Sequence, residues 1–380
     1  MRSLLTVRPS PVSLLAGAYG FLAVADEAVA WQAGATTKVV GAGLVLAIAV
    51  QAFKERRARP PLLTLALPVA LLAAWCALSI LWSVDPAASR VRSMHLAFEA
   101  LLLAALCVAP DRGALVRGLA LGLGAGAAVV ALGFLLELGG AHGARLHPFD
   151  THGNLQGRDA ALGALALGLL GPDRRLLALA GLAGVGLGLS FSSGAWLAAV
   201  VACAVLATQP DRRPLVATLL IAMVLGAGLL SVAGHDTRLR SPTTALQGNA
   251  VEEIGSGRLV LWGHAARISA AHPLRGVGAG AFPVALEEVR HAHQLAGGEH
   301  SKPGRRAHNS YLDLLAETGP LAVLLFLVPL AAALRAGRRR PMALALTLFV
   351  ATSALTDSLL HQKSLWIALA LAALIAAGDE

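Results

Sequence analysis

The sequence predicts an all-α polytopic membrane protein, with about twelve transmembrane helices and one long periplasmic loop between helices 9 and 10. Of its 380 residues, 56% are hydrophobic and only 14% are charged, and the mean hydropathy is +0.68. Soluble domains carry about 25% charged residues. A chain of this length with so little charge cannot cover a water-facing surface, so we expect it to lie in a lipid bilayer.

Hydropathy places the membrane spans, because a helix needs about 20 apolar residues to cross the hydrocarbon core. The apolar run after Arg2 and Arg8 has the features of a signal peptide, but Asp26 and Glu27 fit a cleavage site poorly, so we expect it to remain as the first helix. Several middle runs are short, and re-entrant or tilted helices are alternatives there. The spans are expected near residues 12–30, 36–53, 61–82, 93–109, 114–138, 159–171, 175–190, 194–208, 214–233, 309–334, 341–358 and 363–378.

Charge between the spans predicts their orientation. Basic residues cluster in short connectors on one side, and by the positive-inside rule that side is cytoplasmic. These connectors are Lys54–Arg59, Asp111–Arg117, Asp173–Arg175, Asp211–Arg213 and Arg335–Arg340. Both termini are then cytoplasmic. The chain divides into helices 1–9 (residues 1–233), a periplasmic loop (234–308) and helices 10–12 (309–380).

The net charge of +9 does not indicate a nucleic-acid-binding protein, because the basic residues form no stripe on a soluble domain. Cys76, Cys107 and Cys203 each lie alone in an apolar run, so neither a disulfide framework nor a metal site is predicted. Nor does the spacing of Ser or Cys residues indicate a nucleophilic triad.

The long loop carries a surplus of basic residues on the face where topology does not require them. A guanidinium group matches the oxygens of a phosphate with its planar fork of donors. Arg258, Arg275 and Arg305 are therefore candidate ligands of a diphosphate, although contact with anionic headgroups or solvent is an alternative for each. Arg258 is favoured, since it opens an apolar-patterned segment to Ala271 that predicts a helix, with Trp262 one turn further on.

His308 is the strongest catalytic candidate. It lies one residue before a predicted helix start, where Asn309 or Ser310 would cap the helix. Histidine titrates near neutral pH, so it can accept a proton from a hydroxyl group or contact a phosphate. Tyr311 and Glu317 follow on the same helix as candidate binding residues, and the expected task of Glu317 is to orient the loop backbone.

Gly276, Gly278 and Gly280 form a G-x-G-x-G pattern in the loop. No βαβ unit surrounds it, so a dinucleotide site is improbable and a tight turn near the membrane is expected. A second helix is expected from about Val284 to Leu295.

Two other places carry polar residues between or within apolar runs. Residues 147–159 form a polar connector, in which Asn154 and Arg158 are candidate substrate-binding residues at the mouth of a span. His95 and Glu99 lie four residues apart within a span, and Glu137 ends another. Ionisable groups inside a membrane also suit a proton pathway, so a transporter is the alternative of a different class.

Three motifs of the loop resemble the O-antigen ligase and polymerase superfamily of bacterial membrane enzymes. They are Ser-Gly-Arg-x-x-x-Trp from Ser256, His-Pro-x-x-Gly-x-Gly-x-Gly-x-Phe from His272, and His-Asn-Ser-Tyr-Leu-x-x-x-x-Glu-x-Gly from His308. The polar connector with His152, Gly153 and Asn154 is also similar to that family. So is the arrangement of about a dozen helices with one long periplasmic loop late in the chain.

The resemblance implies a glycosyltransferase of the bacterial inner membrane, surrounded by membrane lipids. Its donor would be a glycan linked to undecaprenyl diphosphate, and its acceptor lipid A–core for a ligase, another lipid-linked glycan for a polymerase, or a protein. Arg258 would contact the donor diphosphate and His308 would be the essential histidine of the loop. Neither a metal nor a nucleotide cofactor is expected.

One departure from the family pattern concerns the stretch Ser190–Trp196. The family has an arginine in a Ser-Arg-Gly-like turn before a mid-chain helix, and this chain has Ser193 in that place. Either Arg158 supplies the charge from the neighbouring connector, or the donor is bound differently, or the protein is not a typical ligase.

Overall fold

The computed structural model describes residues 10–25, 33–55, 63–138, 146, 153–234, 258–292 and 305–377. These residues fold into α-helices joined by short turns. The helices are α1 (Pro11–Ala25), α2 (Ala33–Glu55), α3 (Leu63–Leu78), α4 (Pro86–Val108), α5 (Arg112–Glu137), α6 (Gly153–Leu167), α7 (Arg174–Leu189), α8 (Ser193–Ala207), α9 (Arg213–Val232), α10 (Arg258–Ala271), α11 (Phe282–Ala292), α12 (Ser310–Gly337), α13 (Pro341–Thr356) and α14 (Lys363–Ala376).

The helices confirm an all-helical protein whose spans are built from apolar runs. Within the described ranges, six helical segments are long and apolar enough to cross a membrane: α2, α3 with its following turn, α4, α5, α9 with its preceding turn, and α12. Four others, α1, α8, α13 and α14, are apolar but shorter. A helix stands at each predicted span, while the count of twelve crossings and the side on which the loop lies stay predictions.

Small residues bring the membrane helices into close contact. A Cβ atom added to Gly122 on α5 would lie 2.0 Å from the carbonyl oxygen of Gly17 on α1. On α7, a Cβ atom at Gly188 would lie 2.2 Å from the carbonyl oxygen of Met223 on α9. Such contact lets helix backbones pack directly, which is how helices associate where lipid removes the hydrophobic driving force.

The long loop contains two helices that share a small hydrophobic core. Leu261 and Ile268 of α10 pack with Phe282 and Leu286 of α11, and Ala316 of α12 joins them. The helix predicted from Arg258 to Ala271 is confirmed with the same bounds. The second predicted helix begins two residues earlier than expected, at Phe282.

Helix α12 is broken at Gly319, whose backbone has φ 78° and ψ −176°, and Pro320 follows it. A break of this kind frees carbonyl groups that helical N–H groups would otherwise bond. The carbonyl oxygens of Ala316 and Glu317 accept hydrogen bonds from the backbone N–H groups of Val277 (3.1 Å) and Gly278 (2.7 Å). The carbonyl oxygen of Thr318 accepts one from the indole N–H of Trp75, at 2.8 Å.

The G-x-G-x-G segment therefore supplies hydrogen-bond donors to the carbonyl groups that the helix break leaves free. Gly276, Gly278 and Gly280 all have positive φ angles, of 63°, 109° and 78°. Side chains other than hydrogen fit such angles poorly. A Cβ atom at Gly278 would also lie 2.1 Å from the Ser83 hydroxyl oxygen. This agrees with the tight turn expected from the sequence.

Candidate active site

His308 is held in an unusual backbone conformation just before α12. Its φ angle is 50°, in the left-handed region that costs a residue with a side chain about 1–3 kcal/mol. Its backbone N–H donates to the hydroxyl oxygen of Ser358 at 3.1 Å. On its N-terminal side, Ala307 donates its N–H to Asp313 at 3.1 Å and accepts from the indole N–H of Trp262 at 3.0 Å.

The predicted cap of α12 is confirmed at Asn309. Its side-chain oxygen accepts the N–H groups of Tyr311 and Leu312, at 3.0 and 3.1 Å. The Ser310 hydroxyl donates to the carbonyl oxygen of Asp357 at 2.8 Å and accepts from the N–H of Leu359 at 2.9 Å. The start of α12 is thus fastened to the connector between α13 and α14, residues 357–362.

Asp357, in that connector, joins His308 to Arg158. One carboxylate oxygen lies 2.8 Å from His308 Nδ1, and the other accepts a hydrogen bond from Arg158 Nη2 at 2.8 Å. The first oxygen also accepts the N–H of Ser358 at 2.8 Å. Sequence reasoning missed Asp357, which is 49 residues from His308 along the chain.

The environment of Asp357 keeps its carboxyl group ionised. Burial alone would raise the pKa of Asp357, but the Arg158 guanidinium and the hydrogen bond from His308 together hold that pKa well below its usual range. An ionised carboxylate only accepts hydrogen bonds, so Nδ1 of His308 is the donor. In the tautomer with the proton on Nδ1, Nε2 carries the free lone pair. The His308 side chain is 29% exposed, so a substrate can reach it.

Arg158 lies near the start of α6, beside the turn that departs from the family pattern. A Cβ atom at Gly157 would lie 2.1 Å from the Ser190 hydroxyl oxygen, and one at Gly194 would lie 2.7 Å from that of Thr356. The start of α6, the α7–α8 turn and the end of α13 therefore meet beside Asp357. An arginine from α6 stands next to the turn that has Ser193 in place of an arginine.

Much of the Arg158 guanidinium has no protein partner. Its side chain is 5% exposed, and among the described residues Nε and Nη1 are buried without a hydrogen bond. A small cavity borders it, lined in part by Asp159, Ser353 and Gln362. Asn154 precedes Arg158 by one helical turn, so the two predicted residues share a face of α6.

Two buried carboxylates of α12 fasten the loop on either side of the site. Glu317, 2% exposed, accepts the N–H of Gly280 at 2.7 Å. Asp313, one turn earlier, holds Ala307. Glu317 thus has the backbone-orienting contact expected from the sequence, and Asp313 is a second positioning group that sequence reasoning missed.

The remaining predicted site residues occupy varied positions. Arg258 is the half-buried first residue of α10, one turn before Trp262, and Arg305 is half-buried three residues before His308. The Tyr311 hydroxyl donates to the carbonyl oxygen of Ala351 at 3.2 Å. Arg275 is exposed, and its guanidinium carbon lies 5.7 Å from the centre of a Trp82 ring. Arg158 is linked to His308 through Asp357, which hydrogen-bonds to both side chains.

Comparison with known proteins agrees with the loop motifs. A family model described as O-antigen ligase matches residues 178–327, from within α7 to the second half of α12. The match includes the α7–α8 turn, both loop helices and His308. Among curated proteins, none matches this chain significantly. The resemblance is thereby confirmed over residues 178–327, which match the O-antigen ligase family model.

Proposed function

We propose that this protein transfers a glycan from undecaprenyl diphosphate to a hydroxyl group of lipid A–core, with inversion at the anomeric carbon. The observation that supports this most strongly is the hydrogen bond between His308 and Asp357, inside and beside the segment that matches O-antigen ligase. The reaction would take place at the periplasmic face of a bacterial inner membrane, with both termini in the cytoplasm. The expected independence from metals and nucleotides stays a prediction.

His308 acts as the general base in this proposal. Its Nε2 accepts the proton of the acceptor hydroxyl while the oxygen attacks the anomeric carbon of the donor. The bond from that carbon to the diphosphate oxygen breaks, and its electron pair leaves with the undecaprenyl diphosphate. Asp357 holds the tautomer with Nδ1 protonated and stabilises the imidazolium that forms, a contribution of the kind worth about 10²–10⁴-fold in rate.

Arginine side chains stabilise the departing diphosphate. Arg258 and Arg305 are the loop residues assigned this task, because each lies on a segment that contacts or precedes His308. Fixed charges aimed at developing charge are worth most where water is excluded. Arg158 is a positioning residue, since its ion pair keeps Asp357 ionised and oriented toward His308.

A polymerase that extends a second lipid-linked glycan is the alternative, because the matched family supports either type of enzyme. The His308–Asp357 pair would activate an acceptor sugar hydroxyl in the same way. The acceptor therefore has to be identified by experiment.

The test uses the purified protein in detergent, with an undecaprenyl-diphosphate glycan and lipid A–core, with and without a chelator. Transfer to the core, lost in His308→Ala and strongly reduced in Arg258→Ala, is the expected result. Lengthened lipid-linked glycan would identify a polymerase. Wild-type transfer that persists in both variants would refute the assigned roles, and absence of any transfer by folded wild type would refute the proposed function.

A further inference from the structure

Arg92 on α4 is a buried arginine that the mechanism above does not use. Arg92 is only 6% exposed. Among the residues that the structure describes, no hydrogen bond or ion pair engages its guanidinium group. A guanidinium group carries five N–H donors, and no hydrogen bond within the described protein uses those of Arg92. A group outside the described protein is therefore expected to satisfy it.

The position of Arg92 places it beneath the loop that carries the site. A Cβ atom at Gly280 would lie 3.3 Å from the Cβ atom of Arg92, so the G-x-G-x-G segment lies directly on this part of α4. Arg92 is the seventh residue of α4, which at 1.5 Å per residue is about 10 Å from the helix start. Arg92 therefore lies near the end of α4 on which the loop packs.

The titratable neighbours of Arg92 come from three elements. Asp313 and Glu317 on α12, His361 in the α13–α14 connector and His95 on α4 all interact with it electrostatically. Both carboxylates already accept backbone N–H groups, of Ala307 and Gly280. Neither carboxyl group forms an ion pair or a hydrogen bond with Arg92, so its N–H donors are not occupied by them.

Arg92 and the His308–Asp357 pair belong to one polar region. His361 interacts electrostatically with Arg92, Asp357 and Arg158 together. The region thus holds two arginines from different helices, and Arg158 has two buried nitrogens without a hydrogen bond among the described residues. One nitrogen of Arg158 forms an ion pair with Asp357. The guanidinium group of Arg92 forms no such contact among the described residues, so it is available for bidentate contact with phosphate oxygens.

We propose that Arg92 binds the diphosphate of the lipid-linked donor, and that it thereby supplies from α4 a charge that the α7–α8 turn lacks at Ser193. The inference rests on the proposed function, because it takes undecaprenyl diphosphate as the donor group. In this arrangement the undecaprenyl chain of the donor enters the site from the membrane side. Arg92 binds the oxygens of the departing diphosphate, and His308 faces the acceptor.

The first experiment measures steady-state transfer by Arg92→Lys and Arg92→Gln, with Arg90→Gln as the matched control, since Arg90 is exposed on the same helix. Loss of a charge-assisted bidentate contact is expected to raise the KM for donor about 10- to 100-fold in Arg92→Gln, and less in Arg92→Lys. The KM for acceptor should stay unchanged. In Arg92→Gln, undecaprenyl diphosphate should inhibit transfer less than it inhibits wild type, and about as weakly as undecaprenyl monophosphate does. Arg90→Gln should match wild type.

A second experiment uses the wild-type chain, so it does not depend on the folding of a variant. Phenylglyoxal modifies accessible arginines, and mass spectrometry locates the modified residues. Undecaprenyl diphosphate is expected to protect Arg92 and leave Arg90 reactive. Equal modification of Arg92 with and without undecaprenyl diphosphate, or equal protection of Arg90, in a sample that still transfers glycan, would overturn the assignment.

Other outcomes separate this inference from the proposed function. Unchanged donor kinetics in Arg92→Gln, with active wild type, would overturn only the role of Arg92. If Arg92 merely neutralises Glu317, the Arg92→Gln/Glu317→Gln double variant would recover the donor KM, and that recovery would also overturn it. Wild-type protein that neither transfers glycan nor binds undecaprenyl diphosphate would overturn both proposals.

Discussion

At the scale of single residues, His308 combines a strained backbone with a restrained side chain. The positive φ angle of 50° persists because Ser358, Asp313 and Trp262 hold the residue and its neighbour Ala307 in place. Strain of this kind clusters at functional sites, where the surrounding structure fixes a conformation that the isolated residue would avoid. Here it directs the imidazole onto Asp357.

The strain at His308 predicts an unusual order of stability among its variants. Glycine adopts positive φ angles without penalty, whereas alanine does not. We expect His308→Gly to be about 1 kcal/mol more stable than His308→Ala, although both remove the imidazole and its hydrogen bond to Asp357. Thermal unfolding in the same detergent measures the difference. Equal unfolding temperatures would show that the backbone there is relaxed.

The pH dependence of stability should report on His361. Burial, and then the charge of Arg92, lower the pKa of His361 to about 4 from an ordinary value near 6.5. Because the folded-state pKa is depressed, the neutral side chain contributes stability above about pH 6.5 that is lost as pH falls to about 4. The difference between these pKa values corresponds to about 3 kcal/mol.

The measurement compares wild type with His361→Gln, which cannot titrate. Between pH 7.5 and pH 4.5 the unfolding temperature of wild type should fall further than that of the variant. Parallel curves for the two proteins would contradict the assignment of a buried, neutral histidine at this position.

At the scale of elements, the broken helix α12 and the G-x-G-x-G segment form one interlocked unit. The break frees the carbonyl groups of Ala316 and Glu317, and the segment supplies N–H groups to both. The Glu317 side chain in turn accepts a hydrogen bond from the backbone N–H of Gly280. The loop helices are thereby fixed relative to α12, whose start is bonded to the connector that carries Asp357.

A methyl group inside this unit should be costly. Gly278→Ala would force an alanine to φ 109° and place its Cβ atom 2.1 Å from the Ser83 hydroxyl, so we expect a loss of at least about 2 kcal/mol and slower transfer. Gly263→Ala is the control, because nothing lies within 4 Å of a Cβ atom there. In the interior of α10 it should stabilise the protein by up to about 1 kcal/mol. Similar stabilities of the two variants would argue against the interlock.

Sequence patterns predicted these elements well where a local signal exists. Hydropathy predicted the helices, and apolar spacing predicted α10 with its observed bounds. The break in α12 was not predicted, because one uninterrupted span was expected near residues 309–334. Its hydrogen bonds depend on a segment about 40 residues earlier in the chain, and no local pattern encodes such a pairing.

At the scale of the whole molecule, the site depends on contacts between distant segments. His308 and Arg158 were predicted, but Asp357 and Arg92 were not, since Asp357 stands alone at the edge of an apolar run and Arg92 is one of two arginines before another. Ionisable residues near membrane helices are rare and often functional, and that general signal pointed equally to Glu99 and Glu137. Only the folded chain distinguishes Asp357, by placing it 2.8 Å from both His308 and Arg158.

The proposed topology predicts which parts of the chain face the periplasm. The native cysteines are buried, so background labelling should be low. Glu288→Cys on α11 should react with a membrane-impermeant maleimide in cells whose outer membrane is permeabilised. Asp211→Cys, exposed in the connector between α8 and α9, should react only after the inner membrane is broken. The reverse pattern would invert the orientation proposed from the basic connectors.

The most direct test of the account is a double-mutant cycle on glycan transfer with His308→Ala, Asp357→Ala and the double variant, each checked for folding by thermal unfolding. If the two residues act as one unit, each single change slows transfer about 10²-fold or more, and the double variant is about as slow as the slower single variant. Wild-type rates in either single variant, or penalties that multiply in the double variant, would contradict the claim that the His308–Asp357 pair drives the reaction.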